Sequence, residues 1–192
     1  MNEHIQSATV RAFIALAPPD EAKEELAREL RSAYEAYPRM RWNRIEDWHI
    51  TLAFLGDVRV DRVDRAAAAL DRAWAEVEPA AVRFAGGGTF GRGRFAILWA
   101  GLDGDVAGLG AASQALRREL RRARLSFDAK PFRPHLTISR PGTRIAPADL
   151  AEDVAVLQGY EGPLWTVTEA HLVSSVLGPR PVYTVVHSST CR

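Results

Sequence analysis

Two histidines occur in the same local pattern at separate places in the chain. His49 in WHITLAFLG and His135 in PHLTISRPG are each followed, two residues later, by a threonine within an apolar run. With five histidines and nine threonines in 192 residues, fewer than one His-x-Thr match is expected by chance, yet two occur in similar contexts. Because the unperturbed pKa of histidine is about 6.5, this pair can supply a proton donor and a proton acceptor near neutral pH.

Both stretches are predicted to be strands, in which successive side chains point to opposite faces. In the first strand, alternation places His49, Thr51 and Ala53 on one face and Ile50, Leu52 and Phe54 on the other. In the second strand, it places His135, Thr137 and Ser139 on one face and Leu136 and Ile138 on the other. Each strand is therefore expected to bury its apolar set and to show an imidazole beside a hydroxyl on the other face.

These groups suit the cleavage of a phosphodiester by water. One histidine would take a proton from water, and the other would give a proton to the leaving alkoxide. The hydroxyls of Thr51 and Thr137 can hold the non-bridging oxygens, and a nearby arginine such as Arg140 can make two parallel hydrogen bonds to phosphate.

Helices and strands alternate around the two motifs. Four helices are predicted from apolar residues that recur every three or four positions: one after Pro18-Pro19-Asp20, one from about Asp61, one from about Asp105, and a short one over about 147–157. Strands are predicted at 9–16, 48–55, 81–84, 95–100, 135–139, 164–173 and 182–187. Because several strands follow one another through short turns, an antiparallel α+β fold is favoured.

The composition excludes several classes of protein. A chain of 192 residues suits one domain, and a net charge of +1 argues against a basic protein that coats duplex DNA. The only cysteine, Cys191, excludes an internal disulfide and a cysteine-based metal cluster. No apolar run is long enough to span a bilayer, and the first residues lack a signal-peptide pattern, so we expect a cytoplasmic protein.

The motifs and their flanks resemble the 2H phosphoesterase superfamily, most closely the bacterial RNA 2′,3′-cyclic phosphodiesterases, also called 2′-5′ RNA ligase or LigT-like proteins. The resemblance covers nearly the whole chain. It is carried by RAFIALAPP from Arg11, WHITLAFLGDV from Trp48, TFGRGRFAILWAGL from Thr89, FRPHLTISR from Phe132 and SSVLGPRPVYTVV from Ser174.

The resemblance implies a fold, a reaction and a set of site residues. The fold would be one bilobal domain over 1–192, with two antiparallel sheets related by a pseudo-two-fold axis around a central cleft and helices on the outer faces. The reaction would be hydrolysis of an RNA-terminal 2′,3′-cyclic phosphate to a 2′-phosphate. His49 would be the general acid and His135 the general base, while Thr51, Thr137 and Arg140 would bind the phosphate.

Functions other than hydrolysis of an RNA-terminal cyclic phosphate are also compatible with the motifs. The alternatives are 2′-5′ ligation of RNA ends, turnover of a small cyclic nucleotide, and RNA-end binding without turnover. No cofactor or metal is expected, since no metal-ligand motif such as H-E-x-x-H occurs. We expect a monomer without an obligate protein partner.

Further candidate residues lie outside the two motifs. Trp42, Phe13 and Phe90 are candidates for stacking on a nucleobase. Gly86, Gly88 and Gly91 fit a G-x-G-x-x-G pattern, but a strand rather than a helix follows them, so they are predicted to form a loop and not a dinucleotide site. His171 is expected to be structural or exposed, and His4 and His187 to be solvated.

Overall fold

A computed structural model of the chain describes residues 8–37, 40–91, 96–140, 147–178 and 181–192. Its helices are α1 (Asp20–Glu29), α2 (Arg31–Ala36), α3 (Val63–Trp74), α4 (Val106–Arg122) and α5 (Pro147–Gln158). Its strands are β1 (Thr9–Leu16), β2 (Ile50–Arg59), β3 (Ala80–Phe90), β4 (Ile97–Gly104), β5 (His135–Thr137), β6 (Trp165–Val167), β7 (Glu169–Val176) and β8 (Val182–Thr190). Short 3₁₀ turns lie at Ile45–Asp47 and Val60–Arg62.

The predicted elements are found in the predicted order, with some boundaries shifted. The first predicted helix is two helices, because the backbone leaves helical geometry at Leu30 (φ −85°, ψ 2°). The predicted strand over 164–173 is likewise two strands, β6 and β7. The predicted strand over 95–100 begins outside the described residues, and β4 starts at Ile97.

The strands form one antiparallel sheet in the order β6-β3-β4-β5-β2-β1-β7-β8. The α+β class is thus confirmed, but the two separate sheets expected from the sequence are joined. The halves β6-β3-β4-β5 and β2-β1-β7-β8 meet where Ile50 pairs with Leu136. They are joined because the two histidine strands run side by side at the centre and their backbones pair.

The two halves of the sheet are built in the same way. In each half the strand that carries the histidine motif, β2 or β5, lies innermost. It pairs with the preceding strand in the chain, β1 or β4, from which it is separated by a helical segment. After β2 the chain passes through α3 and β3 joins the opposite half; after β5 it passes through α5 and the short β6 before β7 joins the opposite half. This arrangement agrees with the expected pseudo-two-fold relation.

The helices cover one face of the sheet. Alternate residues of the central strands, such as Ile14, Ile50 and Leu136, are fully buried in one core with Trp74 of α3 and Leu116 of α4. Burying this much apolar side-chain area provides the main drive for folding. The opposite face of the same strands is left to line a cleft.

The candidate active site

The cleft on the open face brings the two predicted motifs together. It has a volume of about 820 Å³, within the usual range for a ligand pocket, and we call it the reaction cleft. Its lining includes His49 just before β2, Thr51 within β2, His135 and Thr137 from β5, and Arg140 just beyond β5. Because Ile50 and Leu136 are paired and point to the core, the residues that flank them point to the cleft.

Both imidazoles are oriented by the same backbone contact. The Nδ1 atom of His49 lies 2.7 Å from the carbonyl oxygen of Asp47, and Nδ1 of His135 lies 2.6 Å from that of Arg133. A carbonyl oxygen only accepts hydrogen bonds, so Nδ1 must carry the hydrogen in each ring. The Nε2 atoms are then free to accept a proton when the ring is neutral and to donate one when it is charged.

Aromatic rings hold each imidazole in place. Phe13 stacks on His49 with the ring centroids 4.7 Å apart, and Tyr183 meets the same imidazole edge-on at 5.4 Å. On the other side, Phe90 meets His135 edge-on at 4.9 Å. Phe13 lines the cleft but is only 2% exposed, and its ring already packs on His49, so its stacking on a nucleobase stays a prediction.

The other two stacking candidates lie in different places. Trp42 packs edge-on against Tyr34 at 4.5 Å and donates from Nε1 to the carbonyl oxygen of Tyr37. It is not among the residues that line the reaction cleft, and its stacking on a nucleobase stays a prediction. Phe90 does line the cleft, where it stacks on Trp99 at 5.2 Å, and its contact with a base stays a prediction.

The glycine-rich segment supports this aromatic group. Gly86 and Gly88 lie inside β3 and not in the predicted loop, and Gly91 follows the strand. A Cβ atom at Gly88 would lie 2.8 Å from the Trp99 ring, so only glycine leaves room for that ring. The segment leads into β4 rather than a helix, as expected, and therefore lacks the geometry of a dinucleotide fingerprint.

Arg140 reaches the cleft because a bulge interrupts the alternation after β5. The N–H groups of Ile138 and Ser139 both donate to the carbonyl oxygen of Leu98, at 2.9 and 3.3 Å. Two residues then oppose one, and the side chains that follow change faces. Ser139, predicted to lie beside His135, is instead fully buried and its Oγ accepts from the Leu98 N–H.

Two residues that sequence reasoning missed hold the Arg140 guanidinium. Its Nε donates to Oδ1 of Asn43 at 2.7 Å, and one terminal nitrogen donates to the Tyr183 hydroxyl at 2.6 Å. Asn43 in turn donates to the carbonyl oxygen of Thr137 at 2.7 Å. Nothing in the local pattern marks Asn43, whereas Tyr183 lies within one of the segments that carry the family resemblance.

A matching bulge occurs in β2. Ile14 pairs with Ala53 and Ala15 pairs with Thr51, so Leu52 is an extra residue. Leu52 and Ala53 both join the core, and Phe54 pairs with Phe13 on the cleft side. The sequence-based assignment of Phe54 to the core face is therefore wrong, while Ala53 lines the cleft as expected although it is buried in the core.

The electrostatics of the cleft favour an anion. Five basic residues line it (Arg11, Arg117, Lys130, Arg133 and Arg140), against two carboxylates, Asp47 and Asp128. Burial lowers the pKa of His49, and the positive charge of Arg140 and the neighbouring His135 lower it further. The Asp47 carbonyl and carboxylate oppose this shift without cancelling it.

The remaining histidines lie away from the cleft or outside the described residues. Nδ1 of His171 lies 2.8 Å from the Ser188 hydroxyl. His187 is not simply solvated, since its Nε2 lies 2.7 Å from Oδ1 of Asp71 on α3. The prediction for His4 falls outside the described residues. Within the described ranges, no group of three His, Cys, Asp or Glu side chains is placed to hold a metal ion.

Sequence comparisons identify a family and two relatives of this chain. A family model described as the 2′-5′ RNA ligase superfamily matches residues 18–179. An RNA 2′,3′-cyclic phosphodiesterase of Geobacillus stearothermophilus is 38% identical over 140 residues, which are 70% of this chain and 43% of that protein. This chain therefore spans less than half the length of that relative. A protein of the same name from Methanothermobacter thermautotrophicus is 27% identical over 91% of this chain and 95% of its own length.

Solved structures show the same fold. Apo LigT of E. coli has a TM-score of 0.75 and 21% sequence identity, and the match covers 96% of this chain and 99% of LigT. The protein TT0787 of Thermus thermophilus has a TM-score of 0.76 at 25% identity, covering 94% and 97% of the two chains. None of the described helices is both long and apolar enough to cross a membrane.

Proposed function

Because the chain belongs to the 2′-5′ RNA ligase superfamily, we propose that it hydrolyses a 2′,3′-cyclic phosphate at the end of an RNA chain to a 2′-phosphate. The observation that carries this proposal is the pair of imidazoles in one cationic cleft, each with Nδ1 bound to a carbonyl oxygen and Nε2 left free. The two relatives named above are called RNA 2′,3′-cyclic phosphodiesterases, which supports the same reaction.

The reaction would use the two histidines in opposite protonation states. Nε2 of neutral His135 takes a proton from water as the water oxygen attacks phosphorus. The bond from phosphorus to the 3′ oxygen breaks, and Nε2 of protonated His49 gives its proton to that oxygen. The products are a 2′-phosphate and a 3′-hydroxyl.

The other polar groups would hold the phosphate in the geometry that this transfer needs. The Thr51 and Thr137 hydroxyls, two residues after the histidines, donate to the non-bridging oxygens. The guanidinium of Arg140, oriented by Asn43 and Tyr183, balances their charge. Bound phosphate also offsets the burial that lowers the His49 pKa, because a nearby anion favours the protonated imidazole.

Phosphorus NMR on a nucleoside 2′,3′-cyclic phosphate tests the reaction type, the bond that breaks and the need for a metal. The expected result is a single 2′-phosphomonoester signal that grows at the same rate with and without a chelator. A 3′-phosphate product, or activity lost to the chelator and restored by a divalent ion, would contradict the mechanism. A bell-shaped dependence of kcat/KM on pH is expected, because one histidine must be protonated and the other neutral.

Ligation is the second candidate, favoured by the family description itself. A 5′-hydroxyl would replace water as the nucleophile and leave a 2′-5′ linkage, with the same histidines moving the protons. An assay that mixes RNA carrying 2′,3′-cyclic ends with RNA carrying 5′-hydroxyl ends separates the two reactions by product length. We further propose that the protein acts as a single bilobal domain, a monomer of the cytoplasm, without a cofactor.

A further inference from the structure

The paired bulges place two different side chains at equivalent positions. Phe54 and Arg140 are each the fifth residue after a motif histidine, and each turns into the cleft because of a bulge. Arg140 is engaged by Asn43 and Tyr183, but Phe54 remains 44% exposed. Its ring centroid lies 5.7 Å from that of Phe13, which itself stacks on His49. Phe54 therefore offers an exposed ring, one ring away from the His49 imidazole, on which a base can stack.

A second concavity begins at this phenylalanine. It measures about 380 Å³ and shares Arg11, Phe54 and Asp128 with the reaction cleft, while Ser126 and Phe127 line its far side. We call it the upstream subsite. Its walls therefore combine aromatic rings with a cation, the combination that binds single-stranded nucleic acid.

The arginines between the two cavities form no direct ion pair in the described part of the chain, although the charge of Arg117 helps lower the pKa of Asp128, which lines both cavities. Arg59 and Arg83 elsewhere on the sheet form ion pairs with Asp61 and Asp103. Arg11 and Arg117 have no ion pair within the described part of the chain. The Arg117 guanidinium instead lies 5.7 Å from the centre of the Phe127 ring, so its charge borders both cavities.

We propose that the upstream subsite binds the nucleotide that precedes the reacting one, with its base on Phe54 and the linking phosphate between Arg11 and Arg117. This rests on the proposed function. An RNA chain that ends in a 2′,3′-cyclic phosphate continues only through its terminal 5′ oxygen, so a cavity joined to the reaction cleft receives that part of the substrate. The enzyme would thus select oligonucleotide ends over single cyclic nucleotides.

Two substrates with the same terminal nucleoside test this proposal: a nucleoside 2′,3′-cyclic phosphate and the dinucleotide that ends in it. Stacking of one base on an aromatic side chain gives about a 5- to 150-fold gain in binding, so kcat/KM of the dinucleotide should exceed that of the mononucleotide by such a factor, mainly through KM. Phe54→Leu should bring the ratio close to one, and Phe54→Tyr, which keeps the ring, should preserve it.

Arg11→Gln should lower the same ratio and weaken its dependence on salt, since one phosphate contact is lost. Arg65→Gln, on the solvent side of α3, is the matched control and should leave both quantities at the wild-type value. A wild-type ratio near one, or a ratio that Phe54→Leu leaves unchanged, overturns the subsite while the phosphodiesterase proposal stands. If neither substrate is turned over, both proposals fall.

Discussion

The strands β2 and β5 present the same two side chains to the cleft on different supports. β2 continues for ten residues and pairs with β1 along that length, whereas β5 has three residues and pairs with β4. Hydrogen bonds outside the ladder also hold β5: the Asn43 side chain donates to the Thr137 carbonyl oxygen, and the Ser139 hydroxyl accepts from the Leu98 N–H. β2 is held along its length by its hydrogen-bond ladder, whereas the shorter ladder of β5 is supplemented by Asn43, which also binds Arg140.

The two strands share the motif side chains but differ in the residue that follows them at the fifth position. The imidazole and hydroxyl are the same on both sides, as proton transfer in two directions requires. The fifth residue after each histidine differs: in the proposed complex Arg140 would bind the phosphate and Phe54 would stack on a base. In the proposed mechanism the pseudo-symmetry would supply the acid and the base, and the difference at the fifth position would orient the substrate.

Removing either imidazole should have the largest effect. His49→Ala and His135→Ala should each lower kcat by about 10²- to 10⁴-fold, because one positioned proton-transfer group contributes that much. The double variant should lose little more than the worse single one, since the two histidines act as a unit. Turnover of the dinucleotide cyclic phosphate measures all three.

His171→Ala is the matched control for those variants, because its imidazole bonds to Ser188 outside the cleft. It should keep wild-type kcat. Undiminished turnover in either motif variant would exclude the two-histidine mechanism. If only one of the two variants kept full activity, the two strands would also not be equivalent.

Replacing Arg140 tests the position at which the strands differ. Hydrogen bonds to charged groups contribute about 1.5–3 kcal/mol, so Arg140→Gln should lower kcat/KM by about 10- to 150-fold. Arg140→Lys should recover only part of this, because an ammonium lacks the planar fork that matches phosphate. Asn43→Ala should cause a smaller loss, since the arginine keeps its contact with Tyr183. Equal activity in the Gln and wild-type proteins would remove Arg140 from the site.

Much of this comparison could be predicted from the sequence. The His-x-Thr repeats indicated two equivalent strands with one polar face each, because alternation holds from His49 to Thr51 and from His135 to Thr137. The bulges after Thr51 and Thr137 could not be predicted, since Leu52-Ala53 and Ile138-Ser139 contain no glycine or proline to mark them. For the same reason the sequence assigns Phe54 to the core, whereas the structure turns it toward the cleft.

The threonine hydroxyls provide a finer test of equivalence. Thr51→Val and Thr137→Val remove a hydroxyl while keeping a branched side chain that suits a strand. A hydrogen bond contributes about 0.5–1.5 kcal/mol net, so each variant should lose about 2- to 10-fold in kcat/KM. Thr→Ser at either position should restore most of the activity. A loss confined to one strand would show that only one hydroxyl reaches the phosphate.

The smallest expected effect concerns stability rather than rate, and it isolates the burial of His49. Burial comes first, and the charge of Arg140 second, among the causes that lower the pKa of this imidazole. Its pKa in the unfolded chain is about 6.5, so below that pH the unfolded state binds a proton that the folded state resists. The contribution of His49 to the free energy of unfolding should therefore be complete above pH 6.5 and should be lost as the pH drops toward the folded-state pKa.

Urea unfolding between pH 8 and pH 5 should show a shallower decline in the free energy of unfolding for His49→Gln than for the wild type. Thr51→Val, which changes no titrating group, should keep the wild-type slope. Arg140→Gln should lie between the two, because it removes a charge that opposes protonation and leaves the burial in place. Parallel curves for the wild type and His49→Gln would mean that the cleft wall does not resist protonation of His49. The two histidine strands would then differ only at their fifth positions, Phe54 and Arg140.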